Sequence, residues 1–479
     1  MGLKKNIFYS GLLTSLNYIF PLIVYPYISR VLGVANIGLV NFIDSIINYF
    51  ILFSMMGITI MGIREIAISK NNPKKLEETF SSLITLNTIS TVITLIGLIL
   101  VTLIIPQLRQ NYSLMMVGAI KLVGNLFLIE WFYKGIEDFK FITFRSISIR
   151  TLYVISVFIF VHKSDDVVTY FLLTSLSIVL NAIINVAYSR KFVSFSLRTI
   201  HIKKYLSSFF TLGLYMLLTS MYTTFNITYL GFTCGDIQVG YYSTATKLYS
   251  IFISLFSAFT AVMMPRMSSL LAESKIDEFK HKFEQSINIL TITTIPFIIF
   301  VLFFAKDIVY IISGPGYQGA IIPMRIIIPL MFIIGYEQIL VIQTLMPLQK
   351  DKIIFRNSII GAIVSIAINI SIVNYLGAVG SAINWVICEI IIFLLSQYAV
   401  NRIINISFNI RQLLISISKY LPLCLIFYII SLKIHATTIT LFIGLTCLII
   451  YFLIINILFT SKDNVFRNFI KKDLLNRHQ

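Results

Sequence analysis

The sequence predicts an all-α polytopic membrane protein with about 14 transmembrane helices, and three observations carry that prediction. The 479 residues are 57% hydrophobic and only 12% charged, with mean hydropathy +0.89; soluble domains carry about 25% charged residues. Apolar runs long enough to cross roughly 30 Å of hydrocarbon recur along the whole chain. Lysine and arginine, finally, cluster in alternate loops, as topology demands of a membrane protein.

Backbone polar groups in lipid must be satisfied internally, so crossings are helices or closed barrels. Barrel strands would alternate over about 10 residues; these runs are longer and continuous, which selects helices. Spans are expected near 7–29, 36–62, 80–105, 112–134, 142–162, 166–189, 206–230, 240–263, 285–305, 324–346, 354–374, 378–400, 416–434 and 438–460. The first follows Met-Gly-Leu-Lys-Lys, contains Pro21 and Pro26 and lacks a small-residue cleavage site, so it reads as an uncleaved helix. Asn6 departs from a myristoylation motif. Span 7 is the least apolar, with Thr219, Ser220, Thr223, Thr224, Asn226 and Thr228. Such a helix should face a cavity or another helix.

Of the 38 Lys and Arg residues, all but Arg30, Arg109, Lys121, Lys163, Lys247, Lys306, Arg325 and Lys433 fall on one side of this topology. The positive-inside rule makes that side cytoplasmic and places both termini there, with a basic tail over 461–479. The net charge of +18 is thereby explained without a nucleic-acid partner.

The chain repeats itself. Gly38 precedes Arg64 by the same spacing that separates Gly240 from Arg266, each after a Leu-Gly pair (Leu32-Gly33, Leu230-Gly231). Phe144-Arg145 and Phe355-Arg356 open equivalent spans 5 and 11. The expected organisation is an N-terminal lobe of six helices (1–200), a C-terminal lobe of six (201–405), two extra helices (406–460) and the tail (461–479). Parallel repeats of this kind build transporters that work by alternating access.

Ionisable residues inside spans are costly and mark function by default. Lys121 and Lys247 lie inside spans 4 and 8; Arg30 and Arg325 lie at the outer ends of spans 1 and 10. Facing a cavity, the four would form a cationic apex suited to phosphate or pyrophosphate; the alternative is snorkelling to the interface. Asp44 and Lys247 occupy near-equivalent repeat positions and are expected to pair across the lobe interface when the outer gate is shut. Glu337 and Glu389 are candidates to carry a coupling proton or cation, or to hydrogen-bond helices together. Glu130 closes span 4 beside Trp131, Phe132 and Tyr133, an aromatic stretch that suits an interfacial belt or a sugar-stacking surface.

No Walker loop, zincin motif, nucleophile elbow or Rossmann fingerprint occurs in context. Cys234, Cys388, Cys424 and Cys447 fit neither a disulfide framework nor a zinc site, and the five histidines are dispersed. The expectation is a non-enzyme with no cofactor and no metal, driven by an ion, potential or substrate gradient.

These residues carry a family resemblance. Pro26-Tyr27-Ile28-Ser29-Arg30-Val31-Leu32-Gly33 with Gly38, Gly62-Ile63-Arg64-Glu65-Ile66-Ala67, and Glu130-Trp131 with Lys134-Gly135-Ile136-Glu137 occur in this order. Gly240-Tyr241-Tyr242-Ser243-Thr244-Ala245-Thr246-Lys247-Leu248, Pro265-Arg266-Met267-Ser268, and Gly377-Ala378-Val379-Gly380-Ser381-Ala382 with Glu389 follow. Nearly the whole chain thus resembles polysaccharide transporters of the Wzx flippase type, within the multidrug/oligosaccharidyl-lipid/polysaccharide exporter superfamily. The resemblance implies two six-helix lobes in a V plus two C-terminal helices. It implies a flippase moving an undecaprenyl-pyrophosphate-linked oligosaccharide (an O-antigen, capsule or exopolysaccharide unit) across the bacterial plasma membrane. It further implies membrane lipids, a polysaccharide polymerase and assembly proteins as partners. Lipid II flippases of the superfamily carry a cation, usually Arg, after a similar Tyr-Tyr-Ala string; Lys247 stands there, which implies a pyrophosphate-binding role. The alternatives are a cation-coupled multidrug exporter, whose cavity would be acidic, and a membrane polymerase or glycosyltransferase, which would need long extracytoplasmic loops.

Overall fold

A computed structural model describes residues 3–196, 200–221, 224–434 and 437–458, and no strand occurs among them. The basic tail expected over 461–479 lies outside the described residues. The first half of the chain forms α1 (Leu3–Met55), α2 (Ile58–Ser69), α3 (Pro73–Ile104), α4 (Pro106–Gln110), α5 (Tyr112–Leu126), α6 (Glu130–Gly135), α7 (Phe139–Phe160) and α8 (Val167–Ser189). The second forms α9 (Lys203–Ser220), α10 (Thr224–Cys234), α11 (Asp236–Ala272), α12 (Ile276–Ser313), α13 (Ile321–Ile327), α14 (Leu330–Leu340), α15 (Asp351–Ile368) and α16 (Asn374–Ile404). Then come α17 (Ile410–Ser418), α18 (Leu421–Lys433) and α19 (Thr437–Leu458).

Local chemistry sets the helix starts. Asn72 accepts from the Lys75 N–H ahead of Pro73, Asp138 from Phe141 and Asn409 from Gln412; each satisfies a donor that the first turn leaves free. Among the described residues, nine helical segments are long and apolar enough to cross a bilayer, or ten when α17 and α18, bent by 44°, are taken together. Two of the nine, Phe20–Ser69 with 50 residues and Asp351–Ile404 with 54, run far beyond the roughly 20 residues of a crossing. Each holds a glycine with positive φ, Gly33 at 76° and Gly377 at 55°, a conformation open to glycine without a Cβ clash. Each of these runs therefore supplies two crossings. Outward faces are apolar, as at Ile93, Ile104, Leu425 and Phe442, which is how a helix bundle meets lipid.

Several expected spans are interrupted, two of them at a residue with positive φ. Span 2 breaks at Met56–Gly57 and span 4 at Phe127–Ile129; Met56 and Ile129 take positive φ. Hydropathy misses both breaks because the residues across them stay apolar. Beyond the breaks, Trp131, Phe132 and Tyr133 are buried with Phe80, Ile58 and Met61, and a Cβ on Gly62 would strike the Trp131 ring. The aromatic stretch is core, and neither a belt nor a sugar platform. The two C-terminal helices pack on α12, where Phe427 meets Phe300 and Phe304 edge-on.

Candidate functional site

The two halves of the chain meet chiefly along α1 and α11. At the end of the bundle that holds the glycine turns, the fit is reciprocal. A Cβ on Gly38 would lie 1.7 Å from the Asp236 carbonyl oxygen, and one on Gly240 would lie 2.3 Å from that of Val34. Only glycine permits this approach. Deeper in, the Tyr25 hydroxyl stands 2.6 Å from Thr244 Oγ1 and Ser45 Oγ stands 2.8 Å from Thr228 Oγ1. Tyr317 donates to the Ser29 carbonyl at 3.1 Å. The opposite, basic end is also joined: Gly57 N–H donates to the Phe209 carbonyl of α9 at 3.2 Å, and the Tyr49 hydroxyl donates to that of Ser220 at 3.2 Å.

The four expected cations do not converge. Arg30 is exposed and donates to the carbonyls of Pro26, Ile311 and Ile312, so it clasps α1 to the C-terminal turn of α12, where free carbonyls and the helix dipole favour a cation. Arg325 donates to the Leu302 carbonyl at 3.1 Å. Lys121 is buried and bonds Asp44 Oδ1 at 2.5 Å and Asn48 Oδ1 at 3.1 Å. The expected Asp44–Lys247 pair is therefore replaced by Asp44–Lys121, within the first half of the chain. The repeat arithmetic aligned positions 44 and 247, but α5 packs beside α1 and offers a nearer cation. Lys247 instead holds its ammonium 4.7 Å from the centre of the Tyr25 ring, a cation–π contact.

Lys247 does line a cavity of about 360 Å³, built almost wholly from α1, α5–α6, α7 and α8. Arg150 also lines it, with Glu130, Asn181, Thr174 and Ser177 supplying further polar atoms. The charge count places Arg145 and Arg150 on the cytoplasmic side, within the start of span 5, and both lie inside α7. Such a count gives the side of the membrane and not the surface that a side chain faces. An Arg with an apolar sequence on both sides was the available signal.

A buried network walls the cavity at the helix break. Arg145 donates to Asn185 Oδ1, to Glu130 Oε1 at 2.7 Å and to Ser146 Oγ at 3.0 Å. Asn185 Nδ2 in turn donates to the Leu128 carbonyl, freed by the break, while Tyr133 donates to the carbonyl of Asn185 itself. Lys134 reaches the other Glu130 oxygen at 3.5 Å. The network satisfies backbone groups that a broken crossing would leave unpaired in lipid.

In the second half, Glu337 of α14 and Glu389 of α16 are neighbouring carboxyl groups, and Trp385 Nε1 donates to Glu389 at 2.9 Å. In the same half, Asn226 Oδ1 accepts from Asn369 at 2.8 Å and from Asn384 at 2.7 Å, which answers the polarity of span 7: Asn226 faces other helices. Asn369 opens a π-helical segment, Asn369–Val373, an irregularity common at functional sites. Spacing alone gave no sign of this cluster. Among the described residues no group of three or more His, Cys, Asp and Glu could hold a metal ion.

Comparison with known proteins adds the following. A family model described as polysaccharide biosynthesis protein matches residues 3–271, more than half of the chain, and a MatE model matches residues 212–371. A protein of Escherichia coli (strain K12) named "Putative O-antigen transporter" is 27% identical over 82% of this chain and 95% of its own. One of the same name from Shigella dysenteriae is 26% identical over 83% and 100%. Among solved structures, the lipid II flippase MurJ in an inward closed conformation superposes with TM-score 0.78 at 15% identity, over 94% of this chain and 99% of that one. An inward-facing multidrug resistance MATE family transporter gives 0.64 at 14% identity, over 82% and 98%. These two likenesses are of fold.

Proposed function

Because the chain belongs to the polysaccharide biosynthesis protein family, we propose that it is a flippase carrying a polyprenyl-pyrophosphate-linked oligosaccharide across the bacterial plasma membrane. On this reading both termini are cytoplasmic, residues 1–200 and 201–405 are lobes, the helices of 406–460 are peripheral, and the crossings number fourteen. The names of the two O-antigen transporters support the cargo. The observation that carries it is the pair of membrane-embedded cations, Lys247 and Arg150, on one cavity of about 360 Å³. Two cations held in a low-dielectric site favour a multiply charged anion, and the hydroxyls and amides beside them suit the first sugar. A drug exporter that takes cations would be repelled there.

The cavity lies in the first lobe, and Lys247 comes from the second. Moving the lobes apart therefore changes the number of cations that face the head group, so binding and rocking are coupled. Arg30, Lys121 and Arg325 act in this scheme as latches and counter-ions. The Glu337–Glu389 pair is the element that favours cation coupling, since adjacent carboxyls in a dry site gain from a proton or cation between them. A polymerase and assembly proteins are the partners that would receive the product.

The test is transport of a polyprenyl-pyrophosphate oligosaccharide by the full-length protein in proteoliposomes. Lys247→Ala and Arg150→Ala should each lower the rate by at least about tenfold, the loss of one charge-assisted phosphate contact. Unimpaired transport in both variants would overturn the assignment.

A further inference from the structure

A second concave surface lies on the outside of the first half. Its floor is α5, and its walls are α3 and α8, both of which pack on α5. The groove encloses about 790 Å³. Small residues make it: Ala119 and Gly124 on the floor, Ala182 and Ala187 on the α8 wall. Leu95, Ile120, Val123 and Ile183 complete an apolar lining with one exception, Arg190, which caps the end of α8. Arg190 is exposed, and it has no carboxylate among the described residues within ion-pair distance.

Resting on the flippase reading, we propose that this groove holds the isoprenoid chain of the carrier lipid, with the lipid's phosphate on Arg190. Three observations point to an anionic lipid with a long hydrocarbon chain, and the flippase reading makes it the carrier. From Val179 to Arg190 the wall is roughly 16 Å long at 1.5 Å per residue, the depth of one leaflet of a roughly 30 Å core. The lining is apolar along that length apart from Arg190, which suits a hydrocarbon chain. The unpaired guanidinium stands at the end where a chain of that length would place its phosphate, and Arg binds phosphate in a bidentate fork. The groove also adjoins the transport cavity. Phe127 lines the groove and Leu128 lines the cavity, so the break between α5 and α6 separates the two by a single residue step. On α8, Ala182, Ile183 and Val186 face the groove, while Ser177, Ile178 and Asn181 face the cavity. A carrier docked in the groove thus lies alongside the break behind which Glu130 and Arg150 line the cavity.

The experiment uses the full-length protein with p-benzoylphenylalanine at Ile183, in vesicles of phosphatidylethanolamine and phosphatidylglycerol containing a few per cent of undecaprenyl monophosphate. After illumination, the adducts are weighed by mass spectrometry. The expected adduct is the polyprenyl phosphate. Arg190→Ala should reduce it roughly fivefold, the worth of one basic residue at an anionic lipid, and Arg190→Lys should largely restore it. Ala187→Phe, which fills the groove from an exposed position, should reduce it without changing the protein's elution from a sizing column. Adducts of phospholipid alone, or a polyprenyl adduct indifferent to Arg190→Ala, would overturn the proposal. Crosslinking reads docking and not transport, so full transport by Lys247→Ala and Arg150→Ala would sink the flippase reading while leaving the groove result standing on its own.

Discussion

Asp44 and Lys121 bond at 2.5 Å across α1 and α5, and because both belong to the same half of the chain, their ion pair can persist while the halves move. Lys247, which comes from the other half, is left free of a carboxylate and rests on Tyr25. Under the proposed function, the pair would keep Asp44 from competing with an anionic cargo for Lys247. Lys121→Ala leaves a carboxylate uncompensated in the membrane, and breaking a buried pair in this way costs about 3 kcal/mol or somewhat more. The double variant Asp44→Asn, Lys121→Met removes both charges and should recover most of that loss in a thermal-unfolding assay. A double variant as unstable as the single one would show that the pair does not act as a unit.

Asn185 should be the most sensitive polar residue of the first half. Its side chain accepts from Arg145 and donates to the Leu128 carbonyl, so Asn185→Ala removes one partner of the guanidinium and leaves a backbone acceptor unmet. Each unmet buried group costs about 1–3 kcal/mol. Heating in detergent should show a large drop in the midpoint, whereas Ser177→Ala on the cavity side of α8 should leave it within a degree or two. Equal midpoints for Asn185→Ala and the parent would refute the role given to this network.

Outside the membrane, the turn between α7 and α8 carries a pH-dependent element. The Asp166 carboxylate accepts from the backbone N–H groups of His162 at 2.8 Å and Lys163 at 3.0 Å, and these two bonds hold its pKa below the usual carboxylate value. An acid whose folded value is depressed stabilises the fold above the unfolded value near 3.9, and that contribution is lost as pH falls through the folded value. Asp166→Ala should therefore lower the unfolding midpoint at pH 7, with the difference from the parent shrinking below about pH 4. A difference that does not change with pH would assign the effect to packing.

Much of this was legible in the sequence because membrane insertion writes itself into composition. Hydropathy and Lys/Arg asymmetry need no tertiary contact, so the helical membrane fold could be read directly. Lys247 was reachable too, since a lysine amid an apolar span has few structural uses. Its partner was not. Whether Asp44 meets Lys247 or Lys121 depends on which helix lies beside α1, and the repeat encodes equivalence of position but not adjacency. Arg150 was hidden for a related reason: the charge count put it on the cytoplasmic side of span 5, and a side of the membrane does not say which cavity a side chain lines. Asn226, Asn369 and Asn384 are separated by most of the second half, and only helix packing brings them to one acceptor.

Closure at the glycine-turn end is open to a direct chemical test. Ser45 Oγ and Thr228 Oγ1 lie 2.8 Å apart and come from opposite halves of the chain, a separation that two thiols can bridge with a bond of about 2.05 Å. With the four native cysteines replaced, Ser45→Cys with Thr228→Cys should form a disulfide on mild oxidation. That bond would hold this end shut. Transport should stop on oxidation and return on reduction, because alternating access requires the end to open. Gly38→Ala provides the control. Its new Cβ would lie 1.7 Å from the Asp236 carbonyl oxygen, a backbone clash that no rotamer relieves, so the halves must stay apart and the disulfide yield must fall. Rapid transport by the oxidised double-cysteine protein, or an undiminished disulfide yield in the presence of Gly38→Ala, would show that the α1–α11 contact is not a gate.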